Sequence, residues 1–107
     1  MDEETYIQMT QANFEKRLEV HQKRSADYTA MSDDVLSNFK RISFICHIWG
    51  LDFRHGSDAA MFHIIHKIDR EMQLKKSGKT PQSESRKDTL LDLANYVDLY
   101  TALVSEE

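Results

Sequence analysis

Helix breakers are scarce in this chain, and their positions decide most of what it can fold into. Across 107 residues there is one proline, Pro81, and three glycines, Gly50, Gly56 and Gly78. Proline removes a helix donor and glycine makes a helix entropically costly, so their absence over long stretches leaves room for long helices. Between the breaks, apolar residues recur at three- and four-residue spacing, the period of a helix rather than of a strand. The chain therefore reads as all-α: one domain over residues 1–107, built as a four-to-five-helix bundle.

The first helix is expected from about Thr10 to Asp27. Phe14, Leu18 and His21 share one face, and Lys16, Arg17, Lys23 and Arg24 lie opposite. Residues 1–9 either extend it or stay loose. The second starts near Ser32, with Asp33 and Asp34 as first-turn acids, and its apolar stripe is Leu36, Phe39, Ile42, Ile45, Cys46 and Trp49. Gly50 is placed to end it. The third opens at Gly56-Ser57-Asp58 and runs to about Lys76. Met61, Ile64, Ile65, Ile68 and Met72 form its apolar line, with His63, His66, Lys67 and Arg70 on the other side. The fourth starts near Ser83 and runs almost to the end. Leu90, Leu93, Val97, Tyr100 and Val104 make its apolar face.

The back of that last helix carries a one-sided polar row: Glu84, Asp88, Asp92 and Asn95. Carboxylates one turn apart point the same way and repel, so a stable helix matches them with cations. A hard divalent cation such as Mg²⁺ is one partner, since it takes oxygen ligands and keeps its waters. A solvated helix back is the plainer reading. Leu91 and Leu99, interspersed in the row, favour a partly enclosed face, covered by other helices or by a second subunit. On the third helix, Lys67 and Arg70 stand one turn apart and suit a phosphate, or ion pairs with the acidic row. His63 and His66 share that spacing but lack the further ligands of a transition-metal site.

Composition narrows the function classes. The net charge is -4 with histidine neutral, and the pI is about 5.7. Broad, non-specific nucleic-acid binding needs a net basic surface, so it is excluded, whereas a local basic pocket is not. The one cysteine, Cys46, permits no internal disulfide and reads as a buried core thiol. No run approaches the ~20 apolar residues of a membrane span, and no signal peptide is readable, so a cytoplasmic protein is expected. There is no Gly-rich phosphate loop and no nucleophile elbow.

Two stretches carry a family resemblance. Lys23-Arg24-Ser25-Ala26-Asp27-Tyr28, followed by Asn38-Phe39, resembles the opening of the phage nucleotide-modification-associated domain one family. Lys67-Ile68-Asp69-Arg70, and then Glu84-Ser85-Arg86-Lys87-Asp88-Thr89-Leu90-Leu91-Asp92-Leu93-Ala94-Asn95-Tyr96, resemble its later motifs. The likeness spans about residues 20–104. It departs at His66, where that family usually has Asp, and at Glu71, where it usually has Leu. More remotely, the chain is similar to the all-helical MazG-like nucleoside triphosphate pyrophosphohydrolases, although its second helix, Lys40-Arg41-Ile42-Ser43-Phe44, lacks their acidic signature.

The resemblance implies a phage-type, nucleotide-handling homo-oligomer, working in the host cytoplasm if phage-encoded. As an enzyme it would hydrolyse (deoxy)nucleoside triphosphates with Mg²⁺. Asp88 and Asp92 would hold the metal, and Asp27 or Glu84 would activate water. Lys23, Tyr28, Asn38, Lys67, Arg70 and Asn95 would bind the ligand. The alternative is a non-catalytic nucleotide-binding or counter-defence protein that sequesters a nucleotide or binds a host protein. His66 in place of an acid favours that alternative. A third reading takes Phe53, Phe62 and Leu74, which lie off the apolar stripes, as a protein-interaction surface.

Overall fold

The computed structural model describes residues 1–107. It contains four helices and no strands: α1 (Glu3–Tyr28), α2 (Ser37–Trp49), α3 (Gly56–Ser77) and α4 (Arg86–Ser105). The all-α expectation holds, with four helices.

The starts of three helices differ from the sequence reading, each for a local reason. α1 begins at Glu3, because the Asp2 carboxylate accepts from the Thr5 amide and Glu3 and Glu4 occupy the positive end of the helix. Residues 3–9 are thus helical, and Thr10 lies inside the helix. α2 begins five residues later than expected. Asp34 is engaged locally: its carboxylate accepts from the Leu36 amide and pairs with Lys40 at 2.6 Å. That Asp-centred turn competes with a helix start at Ser32. α4 starts at Arg86, with the Ser85 hydroxyl capping the Asp88 amide, so Glu84 lies in the preceding loop. The C-terminal stops follow the sequence. Gly50 and Gly78 sit at φ 68° and 66°, the left-handed conformation that ends α2 and α3.

α3 is the hub. It packs extensively on α4, and α1 and α2 each lean on it. Its buried residues surround the helix: Ser57, Ala60, Ile64, Ile65, Asp69, Arg70, Gln73 and Leu74. The expected stripe is therefore only partly internal, because Ile68 and Met72 are exposed. Arg70 and Leu74, taken from the sequence as outward-facing, are 1% and 2% exposed. Of the expected stripe on α2, Ile42 alone is fully buried, and Cys46 is half-buried rather than a core thiol. α4 turns a different side to α3 from the one its periodicity marks. Thr89 is buried, and Leu93, Tyr96, Tyr100 and Leu103 are half-buried, while Leu90, Val97 and Val104 face outward.

The molecule is open. Its radius of gyration is 17.3 Å, against about 13 Å for a compact chain of this length. No helix is long and apolar enough to cross a membrane.

Candidate ligand cleft

The junction of α1, α3 and the loop before α4 is held by one buried ion pair. Arg70 Nη2 lies 2.5 Å from Asp27 Oδ2, and both side chains are 1% exposed. The same guanidinium donates to the Glu84 carbonyl and the Thr89 hydroxyl. Asp27 accepts in addition from the amides of Gln82 and Ser83, at 2.7 and 2.9 Å. A buried charge is tolerable only when paired and hydrogen-bonded in this way. A second pair ties α2 to α3: Arg41 grips both oxygens of Asp69, at 2.7 and 3.0 Å, and donates to the Tyr28 carbonyl. Sequence spacing carried no sign of this pair, because its members are 28 residues apart on different helices.

Above these braces lies a cleft of about 670 Å³, lined by α1, Val35, the start of α2, α3 and the loop before α4. That volume is within the range of small-molecule sites. Its α1 wall presents Lys16, Arg17, His21, Arg24 and Tyr28, which share one face at helical spacing. Asn38, Phe39, His66, Lys67, Arg70 and Glu84 line the rest. His66 is caged edge-on by three rings, with centroids 6.0 Å from Tyr28, 6.3 Å from Phe39 and 4.6 Å from Phe62. Burial holds its pKa below the usual 6.5 against the opposing charge of Asp69. Burial likewise raises the Tyr28 phenol.

The cations divide into two sets. Those of α3 have partners in the chain: Lys67 Nζ lies 2.9 Å from Glu84 and 3.1 Å from Asp92. Burial by itself would lower the Lys67 pKa, yet these two carboxylates raise it above its ordinary value. Burial by itself would raise Glu84, yet the hydrogen bonds from Lys67 and Thr89 hold it low. The cations of α1 are different. Lys16, Arg17 and Arg24 form no ion pair. Three unpaired positive groups thus face one cleft of an acidic protein.

Of the residues expected at a site, Tyr28, Asn38, Lys67, Arg70 and Glu84 line this cleft, and Asp27 lies beneath it as the partner of Arg70. Lys23 does not line it. One position is 100° of helix, which turns Lys23 out to pair with Glu19 at 3.2 Å, and Arg24 occupies the place expected for it. The acidic row does not form one wall. Glu84 and Asp92 meet at Lys67, while Asp88, on the first turn of α4, and Asn95 are exposed. Nowhere do three His, Cys, Asp or Glu side chains converge as metal ligands. With the Lys67 ammonium between Glu84 and Asp92, these residues do not fit a protein-held Mg²⁺. His63 stacks on Tyr96, with centroids 4.8 Å apart, rather than pairing with His66. Sequence reading missed Lys16, Arg17, His21 and Arg24 as a cleft wall. Their signal was present as the basic face of α1, without any indication of what it faced.

Comparison with family models, curated proteins and solved structures gives no match.

Proposed function

We propose that this protein binds a nucleotide in the α1–α3 cleft and holds it without turning it over. The observation that carries this reading is the row of unpaired cations, Lys16, Arg17 and Arg24, facing a pocket with aromatic groups at Tyr28, Phe39 and His66. Phosphates match the cations: an arginine fork takes two oxygens, and lysine acts as a point charge. A base has a flat apolar face that suits the aromatic end. Asn38, buried at the start of α2, offers both a donor and an acceptor for a base edge or a sugar. The motif resemblance to nucleotide-associated phage domains supports the same ligand class.

Two features favour holding over hydrolysis. Asp27 is fully buried and both its oxygens are engaged by Arg70 and the loop amides, which argues against its reaching a water as a base. Glu84 and Asp92 share the Lys67 ammonium, Arg70 lies 3.8 Å from Glu84, and no third acid joins them to hold a metal-activated water. Mg²⁺ enters this reading as the counter-ion that a nucleoside triphosphate brings with it.

The test is a melting curve of the protein with each ribo- and deoxynucleoside triphosphate plus Mg²⁺, alongside an assay for released phosphate and pyrophosphate. Binding raises the melting temperature with no product formed. Turnover abolished by Asp92→Asn would make the protein a hydrolase instead. No shift with any nucleotide would remove the nucleotide reading.

A further inference from the structure

The amino end of α2 opens on the cleft without a cap. Asn38 and Phe39 lie in its first turn, and the carbonyls four residues before them, at Asp34 and Val35, precede the helix. Their two amides donate to no group in the chain, and no side chain caps the end. Free amides and the helix dipole make such an end favourable for an anion. Asp34 does not fill the place, because its carboxylate is taken by the Leu36 amide and by Lys40. The Asn38 side chain adds an independent sign. Asn38 is only 6% exposed, yet its amide group forms no hydrogen bond. Neither atom of that amide is shut off from the surface. Asn38 lines the cleft, so the narrow opening left to it gives onto the cleft. A polar group buried this far without a partner is costly, and a ligand in the cleft supplies the partner.

The rings of the cleft reach from α1 to this end. His66 lies 6.0 Å from Tyr28 on α1 and 6.3 Å from Phe39 in the first turn of α2. The unpaired cations Lys16, Arg17 and Arg24 all belong to α1. Each of two helices thus offers the cleft an electropositive group, with rings between them. We propose that the amino end of α2 is a second phosphate seat, and that the ligand carries phosphate at both the 5′ and the 3′ position of its sugar. This rests on the nucleotide reading of the cleft and narrows it to a class of nucleotide. One phosphate meets the cations of α1. The other meets the amides of Asn38 and Phe39, joined by the Asn38 side-chain NH₂ group. The Asn38 side-chain carbonyl is left to accept from the sugar or the base edge. The rings bridge the two seats and give the base its flat apolar contact.

Calorimetric titration of the adenosine, guanosine, cytidine and uridine 5′-monophosphates, and of the matching 3′,5′-bisphosphates, into the full chain tests this. For the base that binds, the bisphosphate is expected to bind about tenfold tighter or more, the worth of a hydrogen bond to a charged group. Asn38→Asp puts a carboxylate in the seat and should erase that gain. Gln11→Glu adds the same charge at an exposed position outside the cleft and should keep it. Amide spectra of the ¹⁵N-labelled wild type keep the proposal testable if Asn38→Asp does not fold. In them the bisphosphate should shift the Asn38 and Phe39 signals further than the monophosphate does. Equal affinity for the two kinds of nucleotide overturns the second seat. So does a gain that survives Asn38→Asp, or a protein that binds nucleoside triphosphates and no bisphosphate. Each of these leaves the nucleotide reading standing. Binding of no nucleotide of any kind removes that reading and the seat with it.

Discussion

Asp27 and Arg70 show how far one residue pair organises this molecule. Arg70 reaches from α3 to α1, to the backbone at Glu84 and to Thr89 on α4. Removing one member leaves the other charged, buried and unmatched. Asp27→Ala is therefore expected to destabilise the fold by about 3–5 kcal/mol, measured by urea denaturation. Arg70→Met with Asp27→Leu, which removes both charges, should cost less than the single change. His66 gives a pH signature. Its folded pKa lies below the 6.5 of the free ring, chiefly through burial. As pH falls below that value, the unfolded chain takes up a proton that the folded chain refuses, so stability is lost. The contribution is fully present above 6.5 and disappears as pH drops toward the folded value. Melting temperatures from about pH 7 to about pH 5.5 should fall more steeply in the wild type than in His66→Gln. Equal slopes would place the sensitivity elsewhere.

At the scale of the elements, the two left-handed glycines are the clearest test of the helix stops. A Cβ at Gly78 meets no atom within 4 Å, so Gly78→Ala isolates the backbone strain of φ 66°. The expected cost is about 1–2 kcal/mol, a drop of several degrees in a calorimetric melting scan. An unchanged melting temperature would mean that the turn relaxes without penalty. These stops were legible because a glycine acts locally, whatever lies nearby. The late start of α2 was not, since Asp34 can cap a helix or close a turn and only its pairing with Lys40 decides between them. Helix faces were legible as stripes but not as contacts. On α4, periodicity grouped Leu93 and Tyr100 with Leu90, Val97 and Val104, yet α3 packs on the side of Thr89, Leu93, Tyr96 and Tyr100 and leaves the other three exposed. For the site, the basic groups of α3 and the acids before and on α4 could be read as partners. Which cations remained free, and that Arg24 rather than Lys23 faces the cleft, depended on how α1 is rotated against α3.

At the scale of the whole molecule, large apolar side chains stay exposed on α1, α2 and α4, among them Phe14, Leu18, Phe44, Trp49, Leu91 and Val97. The cleft adds a concave basic wall on a chain of net charge -4. Positive groups concentrated against the sign of the whole protein are costly by mutual repulsion, and an anionic ligand offsets that cost. Affinity for such a ligand should weaken with added salt, because the α1 cations are exposed to solvent. The most direct test is a calorimetric titration of ATP–Mg²⁺ into the wild type and into Lys16→Glu/Arg17→Glu/Arg24→Glu. Each contact between a charged group and phosphate is worth about 1.5–3 kcal/mol, or about tenfold or more in affinity. Saturable binding to the wild type and its loss in the triple variant, with helicity retained, is the expected result. Equal affinity in the two proteins, or no binding to the wild type across the nucleoside triphosphates, would contradict it.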